Sequence, residues 1–206
     1  MRFPPSLLGS SEALVFVGLV LLDLITRSGT CHAQAEQPVC PHCGWSPPAA
    51  TLAVTVKNVA ELEHAVATAP TGTTILVQDG IYRLSRSLDF SRSGIVLRSH
   101  SGDRSKVILR GEGMQERQVG VAVSISAPNT IVADLTLAQV GFHGVQVRGE
   151  NGVSGAVVHN LVVKDTGQQL LKGSIGDNGK YSRDVLVACS SFEYSDCAPS
   201  DEPLFR

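Results

Sequence analysis

Apolar and polar positions in the second half of the chain alternate in short runs, and the runs repeat. Ile131-Val132-Ala133-Asp134-Leu135-Thr136-Leu137 returns as Val157-Val158-His159-Asn160-Leu161-Val162-Val163, displaced by 26 residues. At the same displacement Gly141 falls on Gly167, Val145 on Leu171 and Gln146 on Lys172. Two apolar strands joined by a polar turn at a fixed period describe one coil of a solenoid, whose repeats bury their apolar residues by stacking on one another. Val185 to Phe192 predicts a further copy. There Cys189 and Phe192 take the places of Asn160 and Val163, displaced by 29 because Gly173 to Ser182 makes a longer loop.

Upstream, short strands bounded by turn residues are predicted at Leu88–Phe90, Gly94–Ser99 and Val107–Gly111. Val121, Val123 and Ile125 alternate with smaller residues, the pattern of a half-buried strand. Before them the period changes. Val59, Leu62, Val66 and Ala69 share one face of a helix that Asn58 can cap, with Glu61 at the capping-box position. Pro70-Thr71-Gly72 ends that helix, and Thr74–Val77, a turn at Asp79-Gly80 and Ile81-Tyr82 follow.

Glu61-Leu62, Ala65-Val66-Ala67, Pro70 to Val77 and Asp79-Gly80-Ile81-Tyr82 together resemble the opening of right-handed parallel β-helix proteins of the pectate-lyase superfamily. The resemblance implies an all-β fold, a right-handed parallel β-helix with an N-terminal capping α-helix, over about Val54 to Tyr194. A helix with one apolar face covers the core and the strand edges that the first coil would otherwise expose. Among polysaccharide-active members, the capped start and plain coils are most similar to the chondroitinase-B and alginate-lyase type. The resemblance also implies more coils than this chain holds, so the β-helix is expected to be incomplete at its C-terminus.

Composition supports a β-rich, turn-rich domain: 206 residues, 17% charged, 5% aromatic, 20 glycines. The net charge of -2 with no basic block argues against nucleic acid as a partner. Arg2 and the apolar run Ala13 to Leu22, too short to cross a bilayer, read as an export signal with Ala33-Gln34-Ala35 as its cleavage pattern. This divides the chain into a signal segment at 1–35, a proline-rich linker at 36–51 and a β-helix domain at 52–206. It predicts a secreted or periplasmic protein, off the membrane once cleaved, and a monomer. An uncleaved membrane anchor is the alternative.

Removal of the signal leaves Cys40, Cys43, Cys189 and Cys197, an even count that suits disulfides in an exported protein. Cys189 also suits a buried core position. Cys40-Pro41-His42-Cys43 in the linker resembles the motif of thioredoxin-like thiol oxidases. It has the form of half a zinc site as well, and an inert tether is the third reading.

The candidate chemistry comes from stacking. If Val145, Val147 and Leu171 point inward, Gln146, Arg148 and Lys172 point outward on one sheet face. Gln146 and Lys172 then lie about 5 Å apart, with Arg148 about 8 Å from Lys172. Such a face suits an acidic polysaccharide. β-Elimination needs a base near the uronate C5 proton, for which Lys172 and Arg148 are the catalytic candidates. It also needs a guanidinium or Ca²⁺ to neutralise the carboxylate. Glu150, Asp165 and Asp177 are carboxylates without ligand spacing, so a Ca²⁺ requirement stays open. Gln146, His143 and Gln169 are candidates for sugar hydroxyls, with Gln168 beside them. Turn residues that satisfy local backbone, and solvated charges at Arg148 and Lys172, are the plainer alternative. The expectation is a polysaccharide-binding β-helix, a lyase if catalytic; a non-catalytic carbohydrate-binding or scaffold module and a thiol or metal module at Cys40–Cys43 are the alternatives.

Overall fold

The computed structural model describes residues 45–177 and 179–195. The signal segment, the Cys40–Cys43 motif and Cys197 lie outside the described residues. Strand β1 (Leu52–Val56) and helix α1 (Val59–Thr68) lead into four three-stranded coils. These are β2 (Thr73–Val77), β3 (Gly80–Arg83) and β4 (Leu88–Phe90); β5 (Val96–Ser99), β6 (Val107–Arg110) and β7 (Val121–Ile125); β8 (Ile131–Ala133), β9 (Thr136–Val140) and β10 (His143–Val147); and β11 (Val157–His159), β12 (Val162–Thr166) and β13 (Leu171–Gly173). β14 (Leu186–Ala188) and β15 (Ser191–Glu193) begin a fifth.

Every strand pairs in parallel with its equivalent one coil away. The sheets run β1-β2-β5-β8-β11-β14, β3-β6-β9-β12-β15 and β4-β7-β10-β13. We call them the first, second and third sheets. The fold is the expected parallel β-helix, and the expected register holds: Val157 pairs with Ile131, Val163 with Leu137, Lys172 with Gln146 and Phe192 with Val163.

Alternation sends one set of apolar residues to a shared interior. Ile75, Leu97, Val132 and Val158 enter from the first sheet, Leu109, Leu137 and Val163 from the second, and Phe90, Ile125 and Val145 from the third. All are buried to 1% exposure or less, each contributing about 1.5–3 kcal/mol relative to an exposed side chain. Helix α1 closes the starting end. Asn58 Oδ1 accepts from the Glu61 N–H at 2.9 Å, and the Glu61 carboxylate accepts from the Lys57 N–H and the Asn58 amide. Leu62, Ala65, Val66 and Ala69 then join the core. Glu63 is also buried on this helix. Its carboxylate accepts from Ser85 N–H and Oγ and from Arg86 Nε, which together outweigh burial and hold its pKa below the usual range.

The turns are stacked as regularly as the strands. Gly72, Gly94, Asn129, Gly155 and Asp184 occupy successive coils at one turn, all with φ between 50° and 82°. Asp134, Asn160 and Cys189 form a second left-handed row, and Gln139 and Asp165 a third. Left-handed backbone selects Gly, Asn and Asp, which explains most of these residue choices. In the second row Asn160 Nδ2 donates to Asp134 Oδ1 at 2.9 Å, and Arg98 pairs with Asp134 at 3.3 Å. Cys189 thus occupies a turn position. The Arg104 guanidinium donates to the carbonyls of Leu161 and Cys189, fastening three coils along this edge.

The outer face of the first sheet is covered over its middle coils rather than solvated. Trp45, from the linker, packs with Val96, Ile131, Ala133 and Val157, and its ring lies 4.6 Å from that of His159.

Candidate functional site

The third sheet carries the candidate site on its outer face. Register places Asp89 beside Ser124, Ser124 beside Gln146 and Gln146 beside Lys172, one polar row crossing four coils. Inward partners Val123, Ile125, Val145 and Val147 anchor the row in the core. Leu171 is only half-buried, because β13 is the last strand of this sheet.

Gln146 lies on the expected face but is only 8% exposed, flanked by Ser124 below and Lys172 above. Ser124 is buried too, so β7 is covered on both faces rather than half-buried. What covers it is Arg148, whose Nε donates to Ser124 Oγ at 3.1 Å. Its Nη1 lies 3.2 Å from Glu150 Oε1. Glu150 also accepts a short hydrogen bond from Ser174 Oγ. Burial raises the Glu150 pKa, but Ser174, the Glu150 backbone N–H and Arg148 lower it more, so the carboxyl sits below its usual range. Lys172 is half-buried and pairs with no carboxylate among the described residues.

His143 opens β10 at the other edge of the row, 4% exposed, with Nδ1 buried and unpartnered. Burial lowers its pKa most, and the Lys172 and Arg148 charges lower it further, while hydrogen bonding to the Gln169 backbone offsets this only in part. The imidazole is therefore neutral where a free histidine would begin to charge. Gln169 itself is exposed at the equivalent corner one coil on. Gln168 donates its N–H to the Phe142 carbonyl and accepts from Tyr194 Oη, holding that corner together.

The structure thus gathers His143, Gln146, Arg148 and Lys172 on one face, with Gln169 at its rim. Asp165 is kept out of it: its carboxylate accepts from Ser195 N–H and Oγ at a turn. Among the described residues no three His, Cys, Asp or Glu side chains cluster as a metal site would require. Sequence reasoning missed Ser124, Ser174 and Asp89. The signal for the first was the displacement of 22 that takes Val123 to Val145, which neighbouring strands do not share.

No protein-family model matches the chain, and no curated protein matches it. Two solved structures align with part of the chain. A pectin methylesterase variant in complex with a hexasaccharide aligns at 13% identity and a TM-score of 0.44, over 61% of this chain and 48% of that one. A pectin methylesterase with a different hexasaccharide aligns at 12% identity and a TM-score of 0.39, over 60% and 48%. The chain spans about half the length of both.

Proposed function

We propose that this β-helix binds an acidic polysaccharide across the outer face of its third sheet. The observation that carries this reading is the stacking of Lys172 directly over Gln146, with no carboxylate partner among the described residues, beside Arg148 and the buried His143. Parallel strands fix the spacing of such a row at about 4.8 Å per coil, a rigid presentation of cation and hydrogen-bond donors. Arg148 is held by Ser124 and Glu150, which suits a guanidinium that receives a uronate carboxylate and does not suit a proton acceptor. For elimination Lys172 must act as the base in its neutral amine form. The C5 proton passes to Lys172 Nζ, the C4–O bond breaks, the glycosidic oxygen takes a proton from water, and a C4–C5 double bond remains. Export through the segment at 1–35 would deliver the protein to such a substrate.

The non-catalytic binding module is the second reading, favoured by the ties on Arg148. One experiment separates the two. Alginate, pectate and chondroitin are incubated with the protein, with Ca²⁺ added, while near-UV absorbance of an unsaturated product and binding are followed. The lyase gives rising absorbance that Lys172→Ala abolishes. Binding that Lys172→Ala weakens, under a flat absorbance trace, leaves the binding module. Absence of both removes the polysaccharide reading.

A further inference from the structure

Past Arg148 the chain makes one 3₁₀ turn, Gly149–Asn151, and leaves the third sheet. One coil on, the equivalent exit runs from Ser174 into a small hairpin, in which Ile175 bridges Tyr181 and the Gly176 N–H donates to the Lys180 carbonyl. The two exits are bound to each other by the Ser174–Glu150 hydrogen bond. Between them lies a cavity of 580 Å³ whose walls include Asn151, Gly152, Ser154, Tyr181, Arg183 and Asp184. That volume falls within the range of small-molecule sites, about 300–1,000 Å³.

Its chemistry is specific. Tyr181 is 52% exposed. The Arg183 guanidinium sits over one face of the ring, 5.0 Å from its centroid, and Asp184 follows Arg183 in the chain. Arg183 is fixed by backbone bonds on both sides, its N–H donating to the Val153 carbonyl and its carbonyl accepting from Gly155. An exposed aromatic ring among amide, hydroxyl, guanidinium and carboxylate groups matches a pyranose, which offers an apolar C–H face and a polar rim. The mixed charge disfavours a polyanion without apolar faces.

The cavity is also reached from the polar row. Arg148 and Gly152 are four residues apart, so their separation is at most about 14 Å. We infer that the Tyr181 cavity is a second saccharide subsite, which stacks one uronate unit on the Tyr181 face opposite Arg183 with its carboxylate reaching toward that guanidinium. It takes a later unit of the same chain that lies over Lys172, and so rests on the polysaccharide reading above.

The test uses the full chain with digalacturonate and hexagalacturonate, and measures affinity for each by calorimetry. Tyr181→Ala is expected to weaken hexamer binding about tenfold and to leave dimer binding unchanged, while Tyr181→Phe keeps both. Lys172→Ala should weaken both ligands. Hexamer affinity that depends on Lys172 but not on Tyr181, or a Tyr181→Ala loss equal for dimer and hexamer, overturns the subsite and leaves the first reading standing. If the unaltered protein binds neither oligomer, the subsite falls, and the polysaccharide reading is decided by the three-polymer assay above. Circular dichroism of each variant checks the fold, which an exposed position such as 181 should not disturb.

Discussion

Two imidazoles are buried among the described residues, each with at least one ring nitrogen that has no hydrogen-bond partner. His143 and His159 are 4% and 5% exposed, and His159 has no hydrogen-bond partner at either nitrogen. Burial is the chief cause of the lowered pKa at both; Lys172 adds to it at His143, while Asp134 opposes it at His159. The sign of the linkage follows. As pH falls through about 6.5 the unfolded chain takes up protons at both sites, and the folded chain does so only at lower pH. In that interval the unfolded state binds more protons, so stability falls as pH falls. Urea midpoints are expected to be level above pH 7 and to drop between pH 7 and 5, with a shallower drop in His159→Leu. A slope unchanged by that substitution would show that His159 is not the source. Glu63, Asp103 and Glu150, whose pKa values are lowered, add losses only further down, below their ordinary values of 4.5, 3.8 and 4.5. None of the burial at His159 was legible in the sequence. Its place in the repeat reads as an outward position, and it is covered only because Trp45 folds back across more than a hundred residues of chain.

The turns carry as much of the architecture as the strands do. Gly155 has φ +67°, and a Cβ there would lie 2.4 Å from Asn129 Oδ1, the residue below it in the same left-handed row. Gly155→Val therefore combines an unfavourable backbone with a steric clash and is expected to cost about 2–4 kcal/mol, read from chemical denaturation. Asn160→Ala removes the donor to Asp134 and places alanine at φ 50°, for about 1–3 kcal/mol. A loss below about 0.5 kcal/mol in both variants would mean that the turn rows follow the coil and do not hold it. These rows also explain which repeats could be read. The displacement from β8 to β11 and from β10 to β13 is a constant 26, because the intervening loops are equal in length, and there the period was visible. Earlier coils keep the same strands, but Thr74 to Val96 is 22 and Val96 to Ile131 is 35. Loop insertions shift the register of the sequence without shifting that of the structure. The candidate face was legible for the same reason, since Gln146 over Lys172 lies within the constant period. Ser124 and the ties on Arg148 were not, because they depend on a coil joined by unequal loops and on side-chain reach.

At the scale of the whole molecule, stability is carried coil to coil, and the two ends of the described stack differ. At the start, α1 seats Leu62 at 0% exposure beneath the first coil. At the other end Leu186, Val187 and Phe192 are 42%, 41% and 38% exposed, whereas Val158 and Val163 one coil earlier are fully buried. In a solenoid each coil is stabilised by its own contacts and by the neighbour stacked on it, so opening energies should grade along the axis. Amide hydrogen exchange is expected to be slowest in β7 to β10, intermediate in β12, and fastest in β14 and β15. Leu62→Ala should cost about 2–5 kcal/mol by opening a cavity under α1. Because that cavity lies at the far end, the variant should accelerate exchange in β2 to β4 well before it affects β12. Equal acceleration in every coil would identify one cooperative unit. Exchange confined to the ends would leave β7 and β10, which carry Ser124 and Gln146 of the polar row, as the rigid centre, with Lys172 on β13 at its edge.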